Sequence, residues 1–424
     1  MRFAAAIAAT TAAAFAIGAC GASDVRAARG MEIALQDDPV FVGESYFDRE
    51  RGLRVARSLG VTRLRINVNW AFTMTAANQR RRSKPANFSY DFRRFDAIID
   101  AAARHGIRVH VSLVGPAPRW ATGNRRKVSN YRPNLSEWER FVRAALEHFK
   151  GRIDRYSIWN EPNWKTWLMP TRSAPGLYRA IYLRAYRTIK AIDPAAKVMI
   201  GETSPYRRRG FSAAPIAFMR SVVCVNTRYR RRGGCPQIRT DGYMHHPYDF
   251  AHSPKFRYPG KDNATMGTLG NLTRALDRMQ RSGALRFNGR GRVPVYLTEF
   301  GYFASGHRAL PARTRSRFLA QGFSMALRNS RVRSQLQYLL ISPPRRFPWS
   351  FFDLGLMTTS GRKHPQFGAL QRWYRRNRGR VKRPGGPISL PPAPGSTPNG
   401  APGGGGDPGG GGGGIPLPPV LPQT

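Results

Sequence analysis

The chain has 424 residues, enough for one large domain or two ordinary ones, and its hydrophobic fraction of 41% supports a substantial core. Its net charge of +46 is extreme, because 70 basic residues face only 24 acidic ones. Such a charge favours nucleic acid, anionic lipid or acidic polysaccharide as a partner, or it reflects a general arginine bias. Basic runs occur all along the chain and no nucleic-acid-binding module is recognisable, so specific nucleic-acid binding is not expected.

The first 30 residues have the pattern of a secretory signal. Met1-Arg2 is a short positive start, residues 3–19 carry no charge, and small residues follow. Two processing routes stay open: a lipoprotein signal would make Cys20 the lipidated N-terminus, whereas ordinary cleavage after Ala27 would discard it. We therefore predict a secreted or cell-envelope protein whose one membrane contact, under the first route, is a lipid anchor at Cys20.

Residues 31–383 alternate apolar, strand-like runs with amphipathic, helix-like stretches. The strand candidates are Glu32–Gln36, Arg63–Asn69, Ile107–Val114, Ile153–Trp159, Val198–Glu202, Gly242–His246, Val293–Glu299 and Leu336–Ile341. Eight strands separated by helices predict a single α/β domain, a parallel (β/α)₈ TIM barrel. A doubly wound open sheet is the main alternative, but no glycine-rich nucleotide fingerprint follows the first strand.

Residues 384–424 differ in composition, since they are mostly proline and glycine and include the run Gly409–Gly414. Such a segment cannot build a core, so we predict a disordered Pro/Gly-rich tail. The predicted organisation is a signal over 1–30, one folded domain over 31–383 and the tail over 384–424.

Apart from Cys20, the chain contains only Cys224 and Cys235, eleven positions apart. In an exported protein this spacing favours a disulfide that closes a small loop, and two free thiols are the alternative. No metal site is predicted, because two cysteines alone do not complete a zinc shell.

Two motifs each place a glutamate at or just past the end of a predicted strand. They are Trp159-Asn160-Glu161-Pro162 and Leu297-Thr298-Glu299-Phe300, in a chain with only 9 glutamates. The strand ends of a barrel share one face, so the two carboxylates are expected near each other. Paired carboxylates are what hydrolysis of a glycosidic bond requires, because one protonates the leaving oxygen and the other attacks the anomeric carbon or activates water.

On these motifs and the strand order, the chain resembles the clan A glycoside hydrolases, in particular families 5 and 39. The resemblance implies retaining hydrolysis through a covalent intermediate, with Glu161 as acid/base and Glu299 as nucleophile roughly 5 Å apart. It implies an enzyme that acts on a carbohydrate without metal or organic cofactor. A barrel that binds envelope glycans without cleaving them is the alternative, although a pure binder has no need of both glutamates.

The same resemblance assigns supporting roles around the pair. Arg65 in the second strand would orient the nucleophile, and Asn160 would bind the sugar 2-hydroxyl. His246-Pro247-Tyr248 after the sixth strand resembles the clan's His-x-Tyr, in which the tyrosine bonds to the nucleophile. His245 is a competing candidate for the histidine of that motif.

Aromatic residues near the predicted strand ends are candidates for stacking on sugar rings. They are Trp70, Trp120, Trp159, Trp164, Trp167 and Tyr302. Core packing is the alternative, which we favour for Trp159, whereas Trp164 and Trp167 are expected in the cleft. Glu202, at the end of the fifth strand, is a third carboxylate that is expected to contact substrate or support the site.

Two departures from the clan stand out. His110 falls inside the third strand, where clan members often place a histidine at the strand end. The eighth strand lacks the tryptophan that usually ends it, and Trp349 comes only later. These departures leave the particular family open.

Basic clusters fall in several loops predicted at the strand ends. They are Arg80–Arg82, Arg125–Lys127, Arg207–Arg209 and Arg345–Arg346. These clusters favour an anionic glycan as substrate. Arginine bias remains the alternative, since Arg230–Arg232 and Arg290–Arg292 belong to loops on the opposite face. The protein is expected to be a monomer.

Overall fold

The computed structural model describes residues 30–86, 88–124, 126–348 and 350–395. The predicted export signal and Cys20 lie outside the described residues, as do Arg125, Trp349 and most of the predicted tail. No helix in the described ranges is long and apolar enough to cross a membrane.

Eight parallel strands close into a barrel, as the sequence predicts. The barrel strands are β1 (Glu32–Gln36), β2 (Val61–Asn69), β3 (Arg108–Val114), β4 (Arg155–Ile158), β5 (Lys197–Thr203), β6 (Tyr243–His245), β7 (Val295–Leu297) and β8 (Val332–Tyr338). Each strand pairs with its neighbours in sequence, and β8 closes the barrel on β1. Their carboxyl ends therefore meet at one face.

Helices surround the barrel and connect its strands. They are α1 (Asp38–Phe41), α2 (Arg49–Ser58), α3 (Ala76–Arg80), α4 (Arg93–Arg104), α5 (Leu135–Phe149), α6 (Ala174–Ile192), α7 (Pro215–Val222), α8 (Leu269–Arg281), α9 (Ala312–Arg328) and α10 (Pro365–Asn377), with 3₁₀ turns at Trp70–Thr73, Arg119–Ala121, Thr171–Ser173, Met266–Thr268 and Ser350–Phe352. The long helices bury one apolar face against the strands: α4, for example, buries Phe95, Ile98 and Ile99.

The last barrel strand begins four residues earlier than predicted, at Val332 rather than Leu336. The strand is rich in polar residues, and Ser334, Gln335 and Gln337 are all buried. Because the barrel interior is polar here, the more apolar run further on misled the sequence prediction.

The predicted disulfide between Cys224 and Cys235 is present. It closes the loop after α7, just before a short strand, Ile238–Thr240, that pairs with Leu285–Phe287 outside the barrel.

The chain contacts the domain again after the predicted boundary at 383. The Ile388 backbone N–H donates to the Ala103 carbonyl at 2.9 Å, and Leu390 packs on the core. The start of the predicted tail therefore contacts the folded domain.

Candidate active site

Glu161 and Glu299 lie together at the carboxyl end of the barrel. Glu161 follows β4 and Glu299 follows β7. A carboxylate oxygen of each, together with one nitrogen of His246, lies in a group whose atoms are within 4.8 Å of one another. Both glutamate side chains are 11% exposed, so they are largely removed from water yet open to the cleft.

The backbone around Glu161 adopts conformations that residues other than glycine rarely take. Trp159 has φ 70° and Glu161 has φ 35°. The Glu161 N–H donates to the Glu202 carbonyl at 2.8 Å, which ties the β4 loop to β5. Left-handed backbone of this kind costs free energy and is concentrated at functional sites, so its presence here supports a functional role for the loop.

Arg65 contacts several groups of the site at once, and only 1% of its side chain is exposed. Its Nη1 donates to Glu299 Oε1 at 2.8 Å, its Nη2 to Asn160 Oδ1 at 2.8 Å, and its Nε to Glu202 Oε1 at 3.2 Å. One guanidinium therefore orients groups from β4, β5 and β7 at once. Asn160 also lines the cleft, and because Arg65 donates to its oxygen, its amide NH₂ is the group left to donate.

His246 links the same carboxylates from the other side. Its Nδ1 lies 3.0 Å from Glu161 Oε1 and its Nε2 lies 2.9 Å from Glu202 Oε2. Burial disfavours its charged form, but the carboxylates of Glu299, Glu161 and Glu202 outweigh burial and raise the pKa of His246 to about 9. At neutral pH both ring nitrogens therefore carry protons and donate.

Glu202 is completely buried and does not line the cleft. It is the extra residue of a bulge between Gly201 and Thr203 in the pairing of β5 with β6, and its φ is 47°. The bulge places its carboxylate between Arg65 and His246, whose positive charges overcome burial and hold its pKa well below the usual range. The structure therefore agrees with the second predicted role of Glu202, which is to support the site. It corrects the assignment of Glu202 to substrate binding.

Glu299 is held by two donors, since the Tyr248 hydroxyl donates to its Oε2 at 3.2 Å in addition to the Arg65 bond. Burial raises the pKa of Glu299, against the opposing charges of His246 and Arg65. The neighbouring His245 is a structural residue: its Nδ1 lies 2.9 Å from Thr203 Oγ1, and burial lowers its pKa to about 3.

An open cleft with a cavity volume of about 130 Å³ exposes the pair. Asn160, Tyr248, Trp164 and Trp167 line it, as the sequence predicts. Further aromatic residues that sequence analysis did not single out complete its walls: Tyr46, Tyr206, Phe250, Tyr338, Phe347 and Phe351.

Trp70 was predicted to contact sugar, and this prediction is wrong. Its side chain is fully buried, stacked on Phe141 with a centroid distance of 5.8 Å and edge-on to Trp138. The indole fills the space between β2 and α5, so it is a core residue. Trp159 and Tyr302 are buried as well, at 0% and 2% exposure.

The two departures from the clan pattern have structural counterparts. Tyr338 ends β8 and lines the cleft, at the place where the resemblance leads one to expect tryptophan. His110 is buried below the site, with Nε2 3.0 Å from Ser157 Oγ. Ser112, later in the same strand, accepts from Arg65 Nε at 3.0 Å. Sequence analysis would have placed Tyr338 in the cleft if it had located the end of β8 correctly.

Glu161, His246 and Glu299 offer one ligand atom each within 4.8 Å, a spacing that a cation would accept. A metal ligand must be deprotonated, whereas the raised pKa of His246 keeps its ring protonated at neutral pH. The donor set therefore suits hydrogen bonding to carboxylates better than metal binding.

Comparison with solved structures places this geometry in a known fold. A family 39 glycoside hydrolase from Bacteroides cellulosilyticus WH2 superposes with a TM-score of 0.60 at 18% identity, over 81% of this chain and 63% of that one. This chain has the fold of glycoside hydrolases of families 39 and 5. The family 5 enzyme is GH5_18 from Streptomyces cattleya, described in complex with GlcNAc, with a TM-score of 0.58 at 18% identity over 84% and 82% of the two chains.

A third neighbour is a monomeric β-xylosidase from Caulobacter crescentus CB15, with a TM-score of 0.55 at 19% identity over 82% of this chain and 69% of that one. No family model matches the sequence, and no curated protein matches it. The predicted resemblance to families 5 and 39 is therefore confirmed in the fold. The sequence identities are too low to indicate the substrate of this chain. The chain spans less than two thirds of the Bacteroides enzyme.

Proposed function

We propose that this protein is a retaining glycoside hydrolase that cleaves O-glycosidic bonds in an oligo- or polysaccharide. The observation that carries the proposal is the close approach of the Glu161 and Glu299 carboxylates in an open, aromatic-lined cleft. Retaining enzymes need their two carboxyl groups about 5–5.5 Å apart, whereas inverting enzymes need roughly 6.5–9.5 Å to admit a water. Oxygen atoms within 4.8 Å of each other fit the first class.

In the proposed first step, Glu161 gives its proton to the glycosidic oxygen as the bond to the anomeric carbon breaks. Glu299 attacks that carbon and forms a glycosyl ester, and the leaving group departs as an alcohol. In the second step Glu161 takes a proton from water, the water oxygen attacks the anomeric carbon, and the ester bond to Glu299 breaks. Two displacements at one carbon retain its configuration.

The hydrogen-bond pattern supports this division of roles. Two cations, Arg65 and His246, contact three carboxylates, so one proton shared by Glu161 and Glu299 balances the charge of the group. Glu299 accepts from both Arg65 and Tyr248, and each bond stabilises its ionised form. Glu161 accepts one bond, from His246, so Glu299 is the carboxylate with more donors and the one we assign as nucleophile.

The surroundings supply orientation for a sugar ring. The Asn160 amide, fixed by Arg65, is placed to donate to a hydroxyl next to the anomeric carbon. Flat aromatic faces such as Trp164 and Tyr338 stack on the C–H faces of sugars while polar groups bind their edges. We further propose an exported monomer, with a lipid anchor at Cys20 as one processing outcome, on the sequence pattern alone.

The test is to monitor by NMR the anomeric configuration of the first product during hydrolysis of a panel of aryl glycosides. We expect retention, and we expect a 2-deoxy-2-fluoro glycoside with a good leaving group to label Glu299, located by peptide mass spectrometry. Glu299→Gln should lose activity by several orders of magnitude, on the order of 10³-fold or more. An inverted product, or wild-type rates in Glu299→Gln, would overturn the mechanism. Glycan binding without turnover would favour the non-catalytic alternative.

A further inference from the structure

Asn67 lines the cleft beside the carboxylate pair, although sequence analysis did not single it out. It lies in β2, two residues beyond Arg65, and residues two apart in a strand point to the same face, roughly 7 Å from each other. Arg65 contacts Glu299 and Asn160 inside the barrel. Asn67 therefore lies on the inner face of β2, one step nearer to the cleft than the guanidinium that holds the proposed nucleophile.

The side chain of Asn67 is held by Asp38, the first residue of α1. Asp38 Oδ1 accepts from the Asn67 backbone N–H at 3.2 Å, and Asp38 Oδ2 accepts from Asn67 Nδ2 at 3.1 Å. Gln36 Nε2 donates to the same Oδ2 at 2.8 Å, and the Gln36 side-chain oxygen accepts in turn from Arg65. Burial raises the pKa of Asp38 to about 6, so at neutral pH it is ionised and can only accept. These contacts fix the Asn67 amide with its nitrogen on Asp38, and they leave its oxygen as an acceptor.

That oxygen, Asn67 Oδ1, has no hydrogen-bond partner among the described residues. Only 7% of Asn67 is exposed, so the amide is largely removed from bulk water. A buried acceptor without a donor costs free energy, and most buried polar atoms in proteins are paired. Because Asn67 lines the substrate cleft, a donor on the substrate is the group best placed to pair with this oxygen.

Asn163, two residues after Glu161, is a buried asparagine in the opposite condition. Its Oδ1 accepts from the Ser204 backbone N–H at 2.9 Å, and its Nδ2 donates to Ser204 Oγ and to the Ala213 carbonyl, both at 2.8 Å. It is 2% exposed and is not among the described residues that line the cleft. Asn163 is therefore a matched control for Asn67, with the same side chain near the same site but with its oxygen already paired.

We propose that Asn67 is a specificity-determining residue, whose Oδ1 accepts a hydrogen bond from one hydroxyl of the sugar that Glu299 attacks. The proposal rests on the proposed hydrolase function, and it adds that this sugar carries a free hydroxyl there, rather than a hydrogen, an ether or an ester. The hydroxyl differs from the one assigned to Asn160, because Asn160 follows β4 whereas Asn67 lies in β2, on the other side of β3. The substrate class is therefore a glycan whose cleaved sugar is unsubstituted on the side of β2.

The probes are para-nitrophenyl glycosides of glucose, galactose, mannose and xylose, in both anomeric forms. In their analogues, one ring hydroxyl at a time, other than the 2-hydroxyl, is replaced by hydrogen or by fluorine. Fluorine does not donate a hydrogen bond, so a hydroxyl that acts as a donor is lost in both kinds of analogue. The kcat/KM of each is measured for the wild type, Asn67→Leu, Asn67→Ala and the matched control Asn163→Leu.

In the wild type we expect one ring position at which both replacements lower kcat/KM about tenfold. Asn67→Leu should lower kcat/KM by an about tenfold larger factor for the parent glycoside than for the analogue that lacks this hydroxyl, because the bond is already absent there. Asn163→Leu should change parent and analogue by the same factor, whatever its effect on folding. Asn67→Ala provides the same comparison if Asn67→Leu does not fold.

Two results would overturn the proposal. One is a wild type that tolerates both replacements at every ring position. The other is a loss in the Asn67 variants that is equal for parent and analogue, because a purely structural role for Asn67 predicts that equality.

Calorimetry separates failure of this proposal from failure of the hydrolase assignment. If no glycoside is cleaved, binding of the same glycosides to the same proteins is measured instead. A parent that binds the wild type and Asn163→Leu more tightly than its analogue does, with the difference lost in Asn67→Leu, supports the Asn67 contact while the hydrolase assignment falls. Cleavage with no preference that depends on Asn67 leaves the hydrolase assignment in place and refutes the contact. Glycosides that are neither cleaved nor bound count against both.

Discussion

Arg65 Nη1 lies 2.8 Å from Glu299 Oε1, and the guanidinium that makes this contact is almost completely buried inside the barrel. A buried ion pair of this kind stabilises little by itself, because both charges have lost their water. Its value here is positional, since the same guanidinium also contacts Asn160 and Glu202. The pair thus couples the proposed nucleophile to the loop that carries the proposed acid.

A lysine at position 65 tests this positional role. Arg65→Lys keeps the charge but replaces the rigid fork by one ammonium, which cannot contact three partners in the same geometry. We expect kcat/KM to fall by on the order of 100-fold in a protein that still folds, as judged by circular dichroism. Arg63→Lys is the control, because the buried Arg63 pairs with the buried Glu32 and the partly exposed Asp154 away from the site. An equal loss of kcat in both variants would show that the effect is only structural.

The proposed acid/base can be tested through the leaving group. Glu161→Ala should lower kcat/KM about 10²–10⁴-fold for substrates with poor leaving groups, because they need protonation. Aryl glycosides with good leaving groups should still form the intermediate. Azide, a small anionic nucleophile, should then restore turnover by attacking the intermediate without base assistance. A Glu161→Ala enzyme that is equally slow on every leaving group, with no rescue by azide, would contradict the assignment.

Two tryptophans provide a matched comparison of cleft and core. Trp164 lines the cleft, whereas Trp70 is enclosed by Trp138 and Phe141. Trp164→Leu and Trp70→Leu should each lower the free energy of unfolding, by about 3 kcal/mol, since both indoles are largely buried. Only Trp164→Leu should raise KM, by about tenfold, when activity is measured well below the melting temperature. A raised KM in Trp70→Leu alone would place the sugar platform elsewhere.

His246 gives the protein a specific dependence of stability on pH. Its pKa of about 9 in the folded state lies above the ordinary value of 6.5. Its contribution to stability is therefore fully present below about pH 6.5 and is lost as the pH rises through about 9. A shift of this size corresponds to about 3 kcal/mol.

Urea unfolding of the wild type between pH 6 and 9.5 should show this decline, and His246→Gln should flatten it. Asp37 contributes a separate decline at lower pH, because burial raises its pKa from 3.8 to about 7. Its stabilisation is present below about pH 3.8 and lost as the pH rises through about 7. The His246 effect is therefore the difference between the two proteins above pH 7. Parallel curves for the wild type and His246→Gln over that window would refute it.

The barrel was predictable because its signals are local. A strand such as β3 (Arg108–Val114) and an amphipathic helix such as α4 each show their period in a few consecutive residues. The start of β8 was predicted wrongly because Gln335 and Gln337 are buried in a polar barrel interior. The rule that buried strands are apolar therefore failed there. The contacts of Ile388 and Leu390 with the domain were not predictable from composition, since proline and glycine do not forbid packing against an existing surface.

The sequence by itself determined the strand order and the two strand-end glutamates, and with them a shared face for the Glu161 and Glu299 carboxylates. The resemblance to the clan added Arg65, Asn160, His246 and Tyr248 around that pair. Only the tertiary structure decided the rest of the surroundings. It placed Glu202 behind the site through a bulge, Trp70 in the core, and Arg208 and Arg308 in the cleft. The physical reason is that alternation along a strand gives the face of a residue, whereas its neighbours across the barrel depend on strand tilt, bulges and loop paths that no local pattern records.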